Sequence, residues 1–205
     1  MNRPQLINAL IDRYGYRRYL EIGCATDKTF NAVTAEKKVG VDPVCGGTHR
    51  MTSDDFFLNQ DELYTFDIIF IDGDHCAGQV YRDVNNSLTE LAVGGCIVFD
   101  DCLPIHEIHQ DEPRASQTWM GGVWKVIAEL RSRTIFNIRT LDNNESGLAV
   151  MFSDDHDGYL ENTWRIREDL RKLYIDYTWA DYVVYKEELL GILPEHQFKI
   201  FCGIN

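Results

Sequence analysis

The runs Phe66-Asp67-Ile68-Ile69-Phe70-Ile71 and Cys96-Ile97-Val98-Phe99 are apolar at successive positions rather than at alternate ones. A strand with one face in water alternates, so runs of this kind require burial on both faces. They recur with helix-length segments between them, the alternation that builds a parallel sheet with helices on both sides. The pattern predicts strands at 19–22, 38–41, 66–71, 95–99, 134–141 and 148–152, with helices at 5–13, 28–36, 54–63, 77–91, 123–131, 160–173 and 179–190. The last two strands are separated only by a turn at Asp142-Asn143-Asn144-Glu145, so a hairpin adds an antiparallel edge to an otherwise parallel, doubly wound α/β sheet.

A chain of 205 residues, 44% hydrophobic, buries such a sheet without disulfide staples. One domain is expected over 1–205, its core at about 15–155 and a helical extension at about 156–205. The formal charge of -13 repels a phosphate backbone, and the basic pairs Arg17-Arg18, Lys37-Lys38 and Arg171-Lys172 are scattered rather than clustered. Nucleic acid is therefore not an expected partner. No stretch approaches membrane-spanning length, and the first residues lack the apolar segment of a signal peptide. The six cysteines form no C-x-x-C pair, so reduced thiols and a cytoplasmic location are expected.

Chemistry-bearing residues gather at the carboxyl ends of the strands, the edge at which open α/β sheets bind ligands. Glu21-Ile22-Gly23 places an acid and then a glycine before a helix, where a backbone can approach a ligand closely. Val41-Asp42-Pro43 ends the next strand in a carboxylate able to take two ribose hydroxyls. In this order and spacing the two describe a nucleoside site. The third group joins Ile71-Asp72-Gly73-Asp74-His75 to Phe99-Asp100-Asp101. Asp72, Asp100 and Asp101 at adjacent strand ends repel one another unless a hard cation such as Mg²⁺ or Mn²⁺ compensates, although Asp74 and Asp101 also suit the capping of a turn. His75 follows Asp72 by three residues and is placed to act as a general base near neutral pH. The long connection from Cys102 to Gly122, with His106, His109 and Trp119, is expected to cover the substrate; the two histidines read either as metal ligands or as exposed loop residues.

The segments YLEIGCATDKTF, KKVGVDP, FDIIFIDGDH, GGCIVFDDC and GGVWKVIAEL, in this order over about 15–155, resemble the class I S-adenosylmethionine-dependent methyltransferases. The narrower resemblance is to the branch with an IDGxH signature, found among sugar and secondary-metabolite O-methyltransferases and distantly similar to catechol O-methyltransferase. It implies a Rossmann-like sheet of about seven strands with C-terminal helices. It also implies that Glu21 and Gly23 line the cofactor's methionine part, that Asp42 holds the ribose, and that Ser53 and Asp54 lie by the adenine. The metal-dependent relatives further imply that Asp72 is shared between cofactor and metal, that Asp100 and Asp101 complete the Mg²⁺ ligands, and that His75 is the base. Asp27 departs from the family, which usually has a second glycine there; an aspartate can adopt the left-handed turn, with its charge toward the cofactor's carboxylate.

The expected reaction is metal-assisted O-methylation of a sugar, glycan or small-molecule diol. The helices from Leu160 onward are expected to close the far wall of the site or to form a surface for a second copy. Two other readings stay open: a non-catalytic nucleoside- or partner-binding member of the same fold, and an NAD-dependent oxidoreductase. The latter is opposed by the absence of G-x-G-x-x-G after the first strand.

Overall fold

The computed structural model describes residues 1–59, 65–133, 136–153 and 166–204. Seven strands form one sheet: β1 (Arg18–Ile22), β2 (Lys37–Val41), β3 (Phe66–Ile71), β4 (Leu91–Phe99), β5 (Asn137–Leu141), β6 (Leu148–Phe152) and β7 (Ile192–Leu193), in the order β2-β1-β3-β4-β6-β5-β7. The first four are mutually parallel, β6 runs antiparallel to both β4 and β5, and β7 lies parallel to β5 at the edge. The expected hairpin forms as β5 and β6, with the two-residue β7 added outside it. Asn143 Oδ1 ties its turn together by accepting the N–H groups of Gly147 and Glu145 at 3.0 and 3.1 Å.

The continuous apolar runs are explained by two cores. Along β3, Ile68 and Phe70 face α1 (Arg3–Tyr14) and α7 (Glu195–Phe201), whereas Ile69 and Ile71 face α4 (Ala77–Glu90), α5 (Val123–Ser132) and α6 (Trp179–Leu190). All four side chains are buried, and truncating any of them to alanine costs about 2–5 kcal/mol.

Several element limits differ from the sequence expectation for local reasons. α2 (Lys28–Ala32) ends before residue 36 because Val33 turns to extended backbone and, with Ala35, enters the α1-side core. α3 (Ser53–Leu58) starts at the Thr52 cap, and the remainder of the expected helix from 60 onward lies outside the described residues. β4 begins at Leu91, four residues earlier than expected, with a register irregularity against β3. Of the helix expected at 160–173, residues 160–165 lie outside the described set; the rest carries only a 3-10 turn at Glu168–Leu170. There Ile166 and Leu170 are buried, while Tyr177 Oη donates to the Leu170 carbonyl at 3.1 Å and buried Glu129 accepts the Tyr174 N–H at 2.7 Å. These partners satisfy backbone groups that a helix would have satisfied internally. β7 and α7 were not placed by the apolar pattern, although the resemblance implies about seven strands and C-terminal helices.

Candidate active site

Register brings the strand ends into a row. Ile22 pairs with Val41 and with Ile71, and Ile71 pairs with Phe99, so Asp42, Gly23, Asp72 and Asp100 each follow the last residue of adjacent strands. The chain moves outward from β1 to β2 on one side and to β3 on the other, which makes this edge a topological switch point. A cleft of about 530 Å³ opens there, lined by Gly23, Asp42, Ser53, Asp72, His75 and Gln79 among others. Its size suits a nucleoside-sized ligand.

At one end of the cleft the carboxylates are held by this chain's own donors. Asp42 accepts the backbone N–H groups of Ala25, Val44 and Cys45, each at 2.8 Å. Burial alone would raise Asp42, yet these amides, aided by Arg50, hold it below the ordinary carboxylate value. Glu21 lies beneath the cleft, 1% exposed, and accepts the Tyr19 hydroxyl at 2.5 Å. Burial, with Asp72 and Asp27 nearby, pushes it up to about 7 in spite of the tyrosine. Gly23 has φ +90°, and a Cβ there would meet the Asp72 carbonyl oxygen at 2.0 Å, so the crossing of β1 past β3 admits only glycine. Asp27 does adopt the left-handed conformation, at φ 60°, but its carboxylate turns away from the cleft to accept the Gly47 N–H at 2.6 Å. Ser53 donates to buried Asp83 at 2.6 Å and accepts from Gln79 at 3.2 Å. Asp54 is not among the cleft-lining residues; it pairs with Arg82 at 3.3 Å and with Gln79 at 3.2 Å.

The other end is a charge cluster. His75 Nε2 stands 3.2 Å from Asp101 and 3.5 Å from Asp72, while Nδ1 is 3.1 Å from the Trp119 carbonyl oxygen and the two rings stack at 5.3 Å. The carbonyl only accepts, so Nδ1 carries the proton and Nε2 faces the carboxylates. Burial alone would lower His75; Asp72, Asp101 and the Trp119 carbonyl outweigh it and raise the imidazole to about 9. Asp74 accepts the Cys76 N–H at 2.9 Å, as its capping reading expects. The loop from Leu103 to Gly122 is fastened over His75: Gly122 donates to the His75 carbonyl at 2.8 Å, and Glu112 accepts the Ala77 N–H at 3.0 Å at the start of α4. Gly121, at φ +57°, is required because a Cβ would meet the His75 carbonyl oxygen at 2.2 Å.

The sequence grouped Asp72, Asp100 and Asp101 as metal ligands, and the structure divides them. Asp72, Asp101 and His75 offer ligand atoms all within 4.8 Å of one another, the one such group among the described residues. The two carboxylates of this set fit a hard divalent cation, with the His75 imidazole beside them. Asp100, 1% exposed, is turned to other partners: the Arg3 guanidinium takes one oxygen and Ser146 donates to the other at 2.9 Å. Burial, together with Asp72 and Asp101, pushes Asp100 up to about 7, with Arg3 opposing the rise. His106 and His109 pack edge to face at 5.1 Å and do not join the cluster. Arg3, Gln79 and Ser146 escaped the sequence reading. Gln79 lies in the first turn of α4, just after the loop that carries His75, but no motif marks it, and nothing local connects Arg3 or Ser146 to Asp100.

Residues 9–102 match the family model described as a methyltransferase domain. No curated protein matches the sequence. Among solved structures, the chain is similar to the O-methyltransferase TomG of Streptomyces achromogenes, involved in tomaymycin synthesis and solved with SAM (TM-score 0.57, 15% identity, covering 75% of this chain and 80% of that one). It is also similar to an O-methyltransferase of Bacillus cereus in complex with SAH (0.55, 14%, 74% and 80%) and to the SAH-bound Podospora anserina methyltransferase PaMTH1 (0.52, 18%, 74% and 77%). At these identities the likeness is one of fold: the Rossmann-like sheet of the methyltransferases. Among the described residues no helix is long and apolar enough to cross a membrane.

Proposed function

We propose, for a chain that carries a methyltransferase domain on the class I S-adenosylmethionine-dependent fold, O-methylation of a hydroxyl on a sugar, a glycan or a small-molecule diol. The observation that supports this reading most is the continuity of one cleft from Asp42 to His75, so that a nucleoside anchored at the first lies beside the base at the second. Gly23, Asp42 and Ser53 line the part assigned to S-adenosylmethionine, with Glu21 beneath it and Asp54 at its border. Bound there, the cofactor would supply an electrophilic methyl group. Asp72 and Asp101 are the carboxylates assigned to a divalent cation, Mg²⁺ or Mn²⁺, which would lower the pKa of the acceptor hydroxyl and, by balancing the two acids, relieve His75 of its extra proton.

The chain's own residues do the rest. His75 Nε2 removes the acceptor's proton, because Nδ1 is committed to the Trp119 carbonyl. The fastened loop from Leu103 to Gly122 and the Trp119 ring hold that imidazole in place and restrict water around it. The resemblance to the IDGxH branch, with its sugar and secondary-metabolite acceptors, supports the substrate class, and the O-methyltransferases of similar fold support transfer to oxygen. The six free thiols support a reducing, cytoplasmic setting.

The test is transfer of labelled methyl from S-adenosylmethionine to a panel of catechols and sugar nucleotides, with and without Mg²⁺. His75→Gln is expected to lower turnover at neutral pH by about 10²–10⁴-fold. Full turnover by that variant would remove His75 as base, and activity that survives thorough chelation would remove the metal.

A further inference from the structure

We infer that Arg3 is the resident cation of the carboxylate edge: it claims Asp100, keeps that side chain out of metal coordination, and leaves the divalent ion to Asp72 and Asp101. This rests on the metal-assisted reading proposed above and specifies its ligand set.

Three observations carry it. Both oxygens of Asp100 are engaged, one by the Arg3 guanidinium and one by Ser146, whereas Asp72 and Asp101 face His75 and each other. Arg3 also reaches Asp72 at 3.9 Å, so it lies between the row's last carboxylate and its neighbour rather than on the periphery. Its side chain is 35% exposed above an Asp100 that is 1% exposed, which places the guanidinium as a cap on the solvent side of a buried acid.

The placement runs against the ordinary preference of a helix. Arg3 is the first residue of α1, where the helix end is already positive and a cation is disfavoured, and the first turn has no acidic residue. An Asn2–Gln5 capping box and Pro4 fix the start of that helix, so the guanidinium is presented by a rigid element rather than by a trailing end.

The test is Mn²⁺ binding, by calorimetry and by the electron paramagnetic resonance of the bound ion, on protein shown to be folded by circular dichroism. Wild type and Asp100→Asn are expected to bind Mn²⁺ within about threefold of each other, and Asp72→Asn at least tenfold more weakly. Arg3→Gln, which frees Asp100 and removes a positive charge, is expected to tighten binding by about tenfold, while Arg3→Lys keeps the wild-type value. A merely structural arginine would shift thermal stability without this change in metal affinity. Loss of Mn²⁺ in Asp100→Asn, or unchanged or weaker affinity in Arg3→Gln, overturns the inference and leaves the metal-assisted reading standing. If neither wild type nor Arg3→Gln binds the ion, the metal reading itself fails and this ligand set goes with it.

Discussion

The two ends of the cleft hold negative charge by opposite means. Asp42 is surrounded by three backbone amides, two from its own loop and that of Ala25 from the loop after β1, and is kept ionised chiefly by them, with Arg50 aiding. At the other end Asp72, Asp100 and Asp101 have one arginine and one imidazole between them, so the state of the cluster depends on which cation is present. The difference separates binding from chemistry. A preorganised backbone cage suits a ligand that stays in one place, whereas a cluster whose charge can be rebalanced suits a site that must take up and release a proton.

The joint between the ends is the hardest place to alter. Gly23→Ala drives a methyl group into the Asp72 carbonyl and forces an L side chain to φ +90°, so it is expected to destabilise the protein by more than about 3 kcal/mol, or to prevent soluble expression. Chemical denaturation would measure this, and a stable variant would mean that the crossing of β1 and β3 is looser than described.

Asp42→Ala is expected to cost less, about 2–3 kcal/mol, since it strips charge-assisted partners from three amides. The Asp72→Asn change, at the end whose acids repel one another, is expected to leave folding stability within about 1 kcal/mol of wild type. Equal losses in the two variants would erase the contrast.

Glu21 sharpens the comparison through pH. Its folded value is raised to about 7 by burial, so its contribution to stability is fully present below the unfolded carboxylate value and is lost as pH rises through 7. Binding of a cationic ligand has the opposite sign, because it selects the ionised acid. Affinity for S-adenosylmethionine is therefore expected to rise from pH 6 to 8 by up to about tenfold per unit below 7, and Glu21→Gln to flatten the slope. Calorimetry across that range decides it.

The row of strand ends was legible in the sequence and the partners of its carboxylates were not, for physical reasons. Continuous apolar runs such as DIIFI identify doubly buried strands, and strand ends followed by Gly23, Asp42, Asp72 and Asp100 fall into one row once the strands are parallel. Those relations are local or follow from topology. The Asp142–Glu145 turn is local too, and the hairpin formed around it. Arg3 and Asp100 are 97 residues apart, and their meeting depends on how α1 packs on the sheet, which no spacing rule encodes. β7 is only two residues long and exists because β5 offers it an edge. Near Leu170 the apolar pattern read as helix, but the partners that fix the chain there, Glu129 and Tyr177, lie outside the pattern.

The central claim is that the Asp42 end binds the cofactor while the His75 end performs the proton chemistry. It is tested most directly by titrating S-adenosylhomocysteine into wild type, Asp42→Ala and His75→Gln at pH 8. One equivalent is expected to bind to wild type, with affinity lowered at least tenfold in Asp42→Ala and within about threefold of wild type in His75→Gln. Absence of binding to wild type, or a larger loss in His75→Gln than in Asp42→Ala, would contradict the account.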